Sequence, residues 1–244
     1  MTSPSPTVLD EYLARLLAGD RMACRDVAFG YVATTREPVE IYYDLLWPAM
    51  ERVDKMYRAD RINTAAEHMA TRINRTIADQ LQTSLPRQEY IGKRILIACA
   101  EGEPEELGAQ MCSDLLESRG WLTYFVGGGV PNDEILSLVG QLRPHVLLIF
   151  GTQPGGVPGV RQLIDMIREI GANPTMNIIV SGGVFNRAEG LWREVHADLF
   201  AKAAGEVISL VESAEPRSPE VKTCGEPKKR RRRRRPVLVA AGET

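Results

Sequence analysis

From residue 92 onward, short apolar runs alternate with segments of helical spacing, and this alternation constrains the fold more than any other feature. Arg94-Ile95-Leu96-Ile97-Ala98-Cys99-Ala100 is nearly continuous in apolar character. Such a run suits a parallel strand covered on both faces. Similar runs predict strands at 121–125, 145–150, 177–180 and 197–200. Between them, helices are expected at 105–119, at 131–142 with Asn132 or Asp133 as cap, at 158–171, and from the last strand to about Ser213. Strand and helix alternating throughout 92–213 predict an α/β domain with a five-stranded, parallel, doubly wound, Rossmann-like sheet.

Residues 8–85 keep a helical period. Val8, Tyr12, Leu13, Leu16 and Leu17 share one face of a helix that Gly19-Asp20 ends. A second helix carries Cys24, Val27, Ala28 and Tyr31. Pro38 opens a third near its first turn, with Ile41, Leu45, Leu46, Met50 and Val53 inward. A fourth, capped by Asn63 or Thr64, runs through Ala66, Met69, Ile73, Ile77 and Leu81. Four helices with short connections predict an antiparallel four-helix bundle. Residues 214–244 contain four prolines and a run of cations, with too little apolar content to pack, and read as a disordered basic tail.

With 244 residues, 44% of them hydrophobic, the chain can bury a core, which excludes wholly disordered, collagenous and rod-like classes. Its 30 basic and 32 acidic residues nearly cancel, but Lys228 to Arg235 are all cationic, so the remainder is distinctly acidic. Cys24, Cys99, Cys112 and Cys224 show no CxxC spacing, so neither a zinc site nor a disulfide framework is expected. The expected compartment is a reducing cytoplasm. The opening MTSPSPTVLDEY lacks an apolar signal core. No apolar run reaches the ~20 residues of a membrane helix, and no membrane partner is expected.

Ligands of doubly wound folds sit at the carboxyl ends of the strands, here the loops 101–108, 126–131, 151–157 and 181–187. All four are glycine-rich: Gly102 and Gly108, Gly127 to Gly129, Gly151 with Gly155-Gly156, and Gly182-Gly183. Tight turns account for any one of them, but four on one edge predict a large, flat ligand slot. Neither GxxxxGK[ST] nor an opening GxGxxG occurs, and Glu101, Glu103, Glu105 and Glu106 would repel a pyrophosphate at the first loop.

The stretch from Arg94 to Gly108, the Val180-Ser181-Gly182-Gly183-Val184-Phe185 segment and the closing ADLFAKAAGEVISLV at 197–211 resemble cobalamin-binding domains. The upstream bundle resembles the helical cap of methionine synthases, corrinoid methyltransfer proteins and cobalamin-based photoreceptor repressors. In those photoreceptors a Trp, nine residues and then Glu-His lie over the upper face of the corrin. Here Glu67-His68 stands at that place, with Tyr57 in place of the Trp. The resemblance implies a tetrapyrrole held between bundle and α/β domain.

This sequence departs from the family at its central signature, Asp-x-His-x-x-Gly, whose His ligates cobalt and whose Asp orients that His. The matching residues are Glu103, Glu105 and Gly108. A carboxylate is a poorer match for cobalt than imidazole. The family's Ser at the end of the third strand, which helps to hold the nucleotide tail, is Phe150, followed by Gly151-Thr152; a Phe there partly fills the tail's tunnel. Gly182-Gly183, which let the tail pass close to the backbone, are retained. Of the chain's three histidines, His145 starts a strand far from the ligand edge and His196 precedes the last strand, so His68 is the remaining candidate for an upper cobalt ligand.

These features set the expectations for cofactor and function. The cofactor is cobalamin without lower ligation by a protein His, or else biliverdin or another tetrapyrrole. An open-chain bilin needs no axial imidazole; it would rest non-covalently or bond Cys99 or Cys112, although both cysteines also read as buried small hydrophobes. The clustered Glu103, Glu105 and Glu106 could raise one another's pKa, or simply favour a helix dipole. No catalytic arrangement is evident, so the expected function is a non-enzymatic tetrapyrrole sensor or regulator, with light as a candidate signal, acting with a protein partner such as a transcription regulator, or as a homo-oligomer. The alternatives are a corrinoid carrier of a methyltransferase system and a cofactor-free scaffold. Lys228, Lys229, Arg230, Arg231, Arg232, Arg233, Arg234 and Arg235 are candidates for non-specific nucleic-acid binding through phosphate contacts.

Overall fold

The computed structural model describes residues 7–33 and 37–218. The basic run 228–235, Cys224 and most of the expected tail lie outside the described residues. The first helix, α1 (Val8–Leu17), begins at Thr7, whose hydroxyl accepts the Asp10 backbone N–H while the Asp10 carboxylate accepts from Thr7. This reciprocal cap satisfies donors the helix leaves open. Next come α2 (Arg21–Ala33) and α3 (Pro38–Ile41), the latter passing through a π-helical turn, Tyr42–Leu46, into α4 (Trp47–Arg58). Pro48 gives the reason for the wide turn. It lacks an N–H and its ring presses on the carbonyl one turn back, so the preceding turn opens.

The fourth bundle helix, α5 (Thr64–Gln82), is capped by the Asn63 side chain, which accepts from the Ala66 N–H at 2.9 Å. Its buried stripe is Glu67, Ala70, Ile73, Asn74, Ile77, Ala78 and Leu81. Met69, expected inward, is 46% exposed. It lies ~100° round the helix from Ala70, which takes the inward place.

The sheet comprises β1 (Arg94–Cys99), β2 (Leu122–Gly127), β3 (Val146–Phe150), β4 (Asn177–Ser181) and β5 (Leu199–Ala201), in the order β2-β1-β3-β4-β5 with every pair parallel. Between the strands run α6 (Leu107–Ser118), α7 (Asn132–Leu142), α8 (Val157–Ile170), the short α9 (Gly183–Arg187) and α10 (Leu191–Glu194), and after β5 comes α11 (Ala204–Ser213). The sequence placed no helix at α9 or α10. Asn132 does not cap α7 as expected. Pro131 holds the cap position, and the Asn132 amide donates to the Gly159 carbonyl.

The pleat divides the core. Ile95, Ile97 and Cys99 point into one cluster with the bundle, α6 and α11, while Leu96, Ala98 and Ala100 point into the other with α7 and α8. Alternation of side chains along a strand makes both possible from one apolar run. Cys99, Phe150, Ser181 and Ala201 stand in register, so the strands end in one row beside the bundle. Buried Tyr42 ties the two halves, its hydroxyl lying 3.1 Å from the Ala78 carbonyl and 3.2 Å from the Asp114 carboxylate of α6. No helix among the described residues is long and apolar enough to cross a membrane.

Candidate functional site

Where the row of strand ends meets the bundle there is a cavity of about 340 Å³. The bundle contributes Trp47, Met50, Glu51, Asp54, Lys55 and Arg58 from α4 and Glu67 from α5. The α/β side contributes Glu105, Leu107, Gly108, Met111, Phe150, Thr152, Gly182, Gly183, Asn186 and Arg187. Trp47 and Phe150 meet edge-on across the boundary, ring centres 6.4 Å apart at 67°. The indole N–H donates to Glu51 at 3.1 Å.

Two glycines are fixed by space. A Cβ on Gly108 would stand 3.2 Å from the Phe150 ring and 3.5 Å from Trp47. Gly182 has φ +103°, and a Cβ there would lie 2.4 Å from the Gly151 carbonyl oxygen. A left-handed backbone pressed against another backbone admits only glycine.

The glutamates of the first loop play three different parts. Buried Glu103 accepts the Thr152 hydroxyl and backbone N–H, each at 2.5 Å, and the Gln153 N–H at 3.3 Å. It also accepts the Glu105 backbone N–H at 3.2 Å. The resemblance implied that residue 103 orients the side chain of residue 105. Its carboxylate instead ties down the loop after β3 and is not part of the cavity wall. Glu106 accepts the Gly128 N–H at 2.6 Å and pairs with Arg75 at 3.2 Å. Glu105 is left facing the cavity. Burial, then the negative charges of Glu67 and Glu103, push its carboxyl up to about 7, with Arg75 opposing. The helix-dipole reading applies to Glu106 alone, which stands at the N-cap of α6 without a side-chain cap hydrogen bond, while Glu103 and Glu105 lie before the helix.

Of the three cap residues expected over the slot, only Glu67 lines the cavity. It is 8% exposed and accepts the Thr71 hydroxyl at 3.1 Å. His68 lines a second cavity with Arg72, Arg75 and the backside of the first loop at Pro104 and Glu105, and lies 3.6 Å from Glu67. Successive helical residues differ by ~100°, and the rotation of α5 that turns Glu67 to the cavity leaves His68 outside it. Tyr57 fails for the same reason, since its neighbour Arg58 takes the cavity face while the Tyr57 hydroxyl lies 3.4 Å from that of Thr64. Trp47 is the aromatic residue actually present. The α4 stripe Trp47, Met50, Glu51, Asp54, Arg58 has helical spacing, a signal that could have been read beneath its mixed polarity.

None of the chain's three histidines lines the cavity. His145 accepts the Arg94 N–H at the opposite end of the sheet, and His196 pairs with Asp165 at 2.7 Å. Cys99 and Cys112 are buried, and burial pushes the Cys99 thiol up to about 12 and that of Cys112 higher still. Such thiols do not supply the thiolate that a covalent bilin link needs.

Two family models, each described as a B12 binding domain, match the chain, one at residues 8–82 and the other at 93–211. The chain belongs to the B12-binding domain family. It is 21% identical over 206 residues to dimethylamine corrinoid protein 1 of Methanosarcina acetivorans, covering 82% of this chain and 95% of that one. It is 20% identical over 201 residues to the trimethylamine corrinoid protein of Methanosarcina barkeri, covering 80% and 90% respectively. Among solved structures, the monomethylamine corrinoid protein of Methanosarcina barkeri superposes with a TM-score of 0.76 at 16% identity, over 84% of this chain and 96% of that one. That likeness shows the helical cap and the Rossmann-like domain as one shared fold.

The residues present fit part of the family's ligand. Trp47, Met50, Leu107 and Met111 offer apolar surface to a ring, and Gly108 allows close approach of the backbone. They offer no imidazole, because Glu105 lines the cavity and no His does.

Proposed function

We propose that this B12-binding protein is a non-catalytic corrinoid carrier of a methyltransferase system, holding the ring between bundle and α/β domain without imidazole from the α/β domain. The observation that carries the reading is Glu105 in the α/β wall of the cavity that Trp47 and Glu67 line from the bundle, in a chain whose relatives include methylamine corrinoid proteins. These relatives weigh for the carrier and against the photoreceptor sensor expected from sequence. When bound, a corrinoid supplies a cobalt centre able to take up and release a methyl group. The chain's own contribution is to cover the ring with Trp47 and Met50 and to place Glu105, its carboxyl pushed up to about 7, where relatives of the signature type place imidazole. The partner such a carrier needs is a methyltransferase.

The test is absorbance of the full chain after incubation with hydroxocobalamin and gel filtration, beside parallel incubations with biliverdin and haem. The expected result is retained corrinoid whose spectrum changes, with tighter binding, in Glu105→His. Retention with unchanged spectrum and affinity in the variant removes Glu105 from beneath the ring. Retention of biliverdin alone restores the bilin sensor and overturns the carrier.

A further inference from the structure

The floor of the cavity is closed in a way that bears on which corrinoid fits, an inference that rests on the carrier reading. Phe150 is 3% exposed, and its ring occupies the space beside Gly108 and against Trp47. At the other side, the Arg187 guanidinium donates to the Thr152 carbonyl and sits over Gly183, its Nη1 2.5 Å from where a Cβ would be. The loop these groups rest on is not slack, since Glu103 clamps Thr152 and Gln153 by three hydrogen bonds. The strand-end side of the cavity is therefore occupied by a buried aromatic ring beside Gly108 and by a cation over Gly183. A ligand is confined to the layer between bundle and strand ends.

Cobalamin carries a nucleotide ending in a benzimidazole on its lower face, whether that base is bound to cobalt or free. Cobinamide has the same ring and lacks the nucleotide. We infer that this site selects a corrinoid with no nucleotide on the face turned to the sheet, and that Phe150 and Arg187 are the residues that set this specificity. Phe150 is buried against Trp47 and Gly108, and Arg187 is held by the Thr152 carbonyl and the Asp54 carboxylate, so admitting a pendant group means displacing them.

The experiment is a titration of the full chain with cobinamide and with hydroxocobalamin, followed by absorbance. Cobinamide should bind at least ~10-fold more tightly. In Arg187→Ala the preference should fall, and in Phe150→Ser with Arg187→Ala it should vanish through tighter hydroxocobalamin binding. Circular dichroism of both variants reports the fold, and Arg187→Ala alone, at a partly exposed position, keeps the test open where the double variant fails to fold. Equal affinities in the wild-type protein overturn the selectivity while leaving the carrier reading standing. Failure to bind either corrinoid overturns the carrier reading and this inference with it.

Discussion

Replacing Glu105 by Gln should make the ligand-free protein more stable at pH 8 and only about a quarter as much so at pH 5. In the folded chain, burial and the nearby charges of Glu67, Glu103 and Glu106 hold the Glu105 carboxyl protonated up to about 7, against 4.5 ordinarily. Between those values the unfolded chain has released the proton and the folded chain has not. Unfolding is therefore favoured as pH rises from 4.5 to 7, and above 7 the loss is complete. At ~1.36 kcal/mol per pH unit the full effect is at most ~3.4 kcal/mol. Water in the cavity and the Arg75 cation screen part of it, leaving about 2 kcal/mol. Gln keeps the shape and cannot ionise. Urea unfolding followed by circular dichroism, with wild type and Glu105→Gln each at pH 5 and pH 8, isolates the effect as a double difference. Asp114, which burial also raises to about 7, titrates in both proteins and cancels. A Glu105→Gln effect of equal size at the two pH values would refute the reasoning, because it would mean that Glu105 ionises as freely in the folded chain as in the unfolded one.

Tyr42→Phe should cost ~1–2 kcal/mol, since it strips the buried Asp114 carboxyl and the Ala78 carbonyl of their shared hydroxyl partner; thermal unfolding reads it directly. Gly182→Ala should cost at least ~2 kcal/mol, because a left-handed backbone and a 2.4 Å approach to the Gly151 oxygen both oppose a methyl group; unfolding no easier to provoke than in wild type counts against the described turn. Glu103→Gln should weaken the clamp on Thr152 and Gln153 by ~1–3 kcal/mol and speed hydrogen exchange at those two amides, whereas exchange at the α7 amides should stay as it was.

Much of this protein was legible one segment at a time. The run 94–100 determined a buried parallel strand because it is apolar at odd and even positions alike, and a strand shows those positions to opposite faces. The glycine loops determined which edge of the sheet would face a ligand, because chain direction alone fixes where parallel strands end. Glu105 could be singled out because the family signature has a fixed spacing.

The bundle's contribution to the cavity was not legible, because it depends on rotation about helix axes. Reading Glu67-His68 as a facing pair ignored the ~100° between neighbours, and only the docked helices decided that Glu67, Arg58 and Trp47 turn inward while His68 and Tyr57 do not. The first loop shows the same limit for charge. Glu103, Glu105 and Glu106 are near-equivalent in sequence, yet the fold brings Thr152 to one, Gly128 and Arg75 to another and nothing but a cavity to the third. Sequence determined that a cluster of carboxylates would stand at the ligand edge. Partners distant in the chain decided which one stayed unpaired and became hard to ionise, because a pKa follows burial and neighbouring charge, and both are properties of tertiary structure.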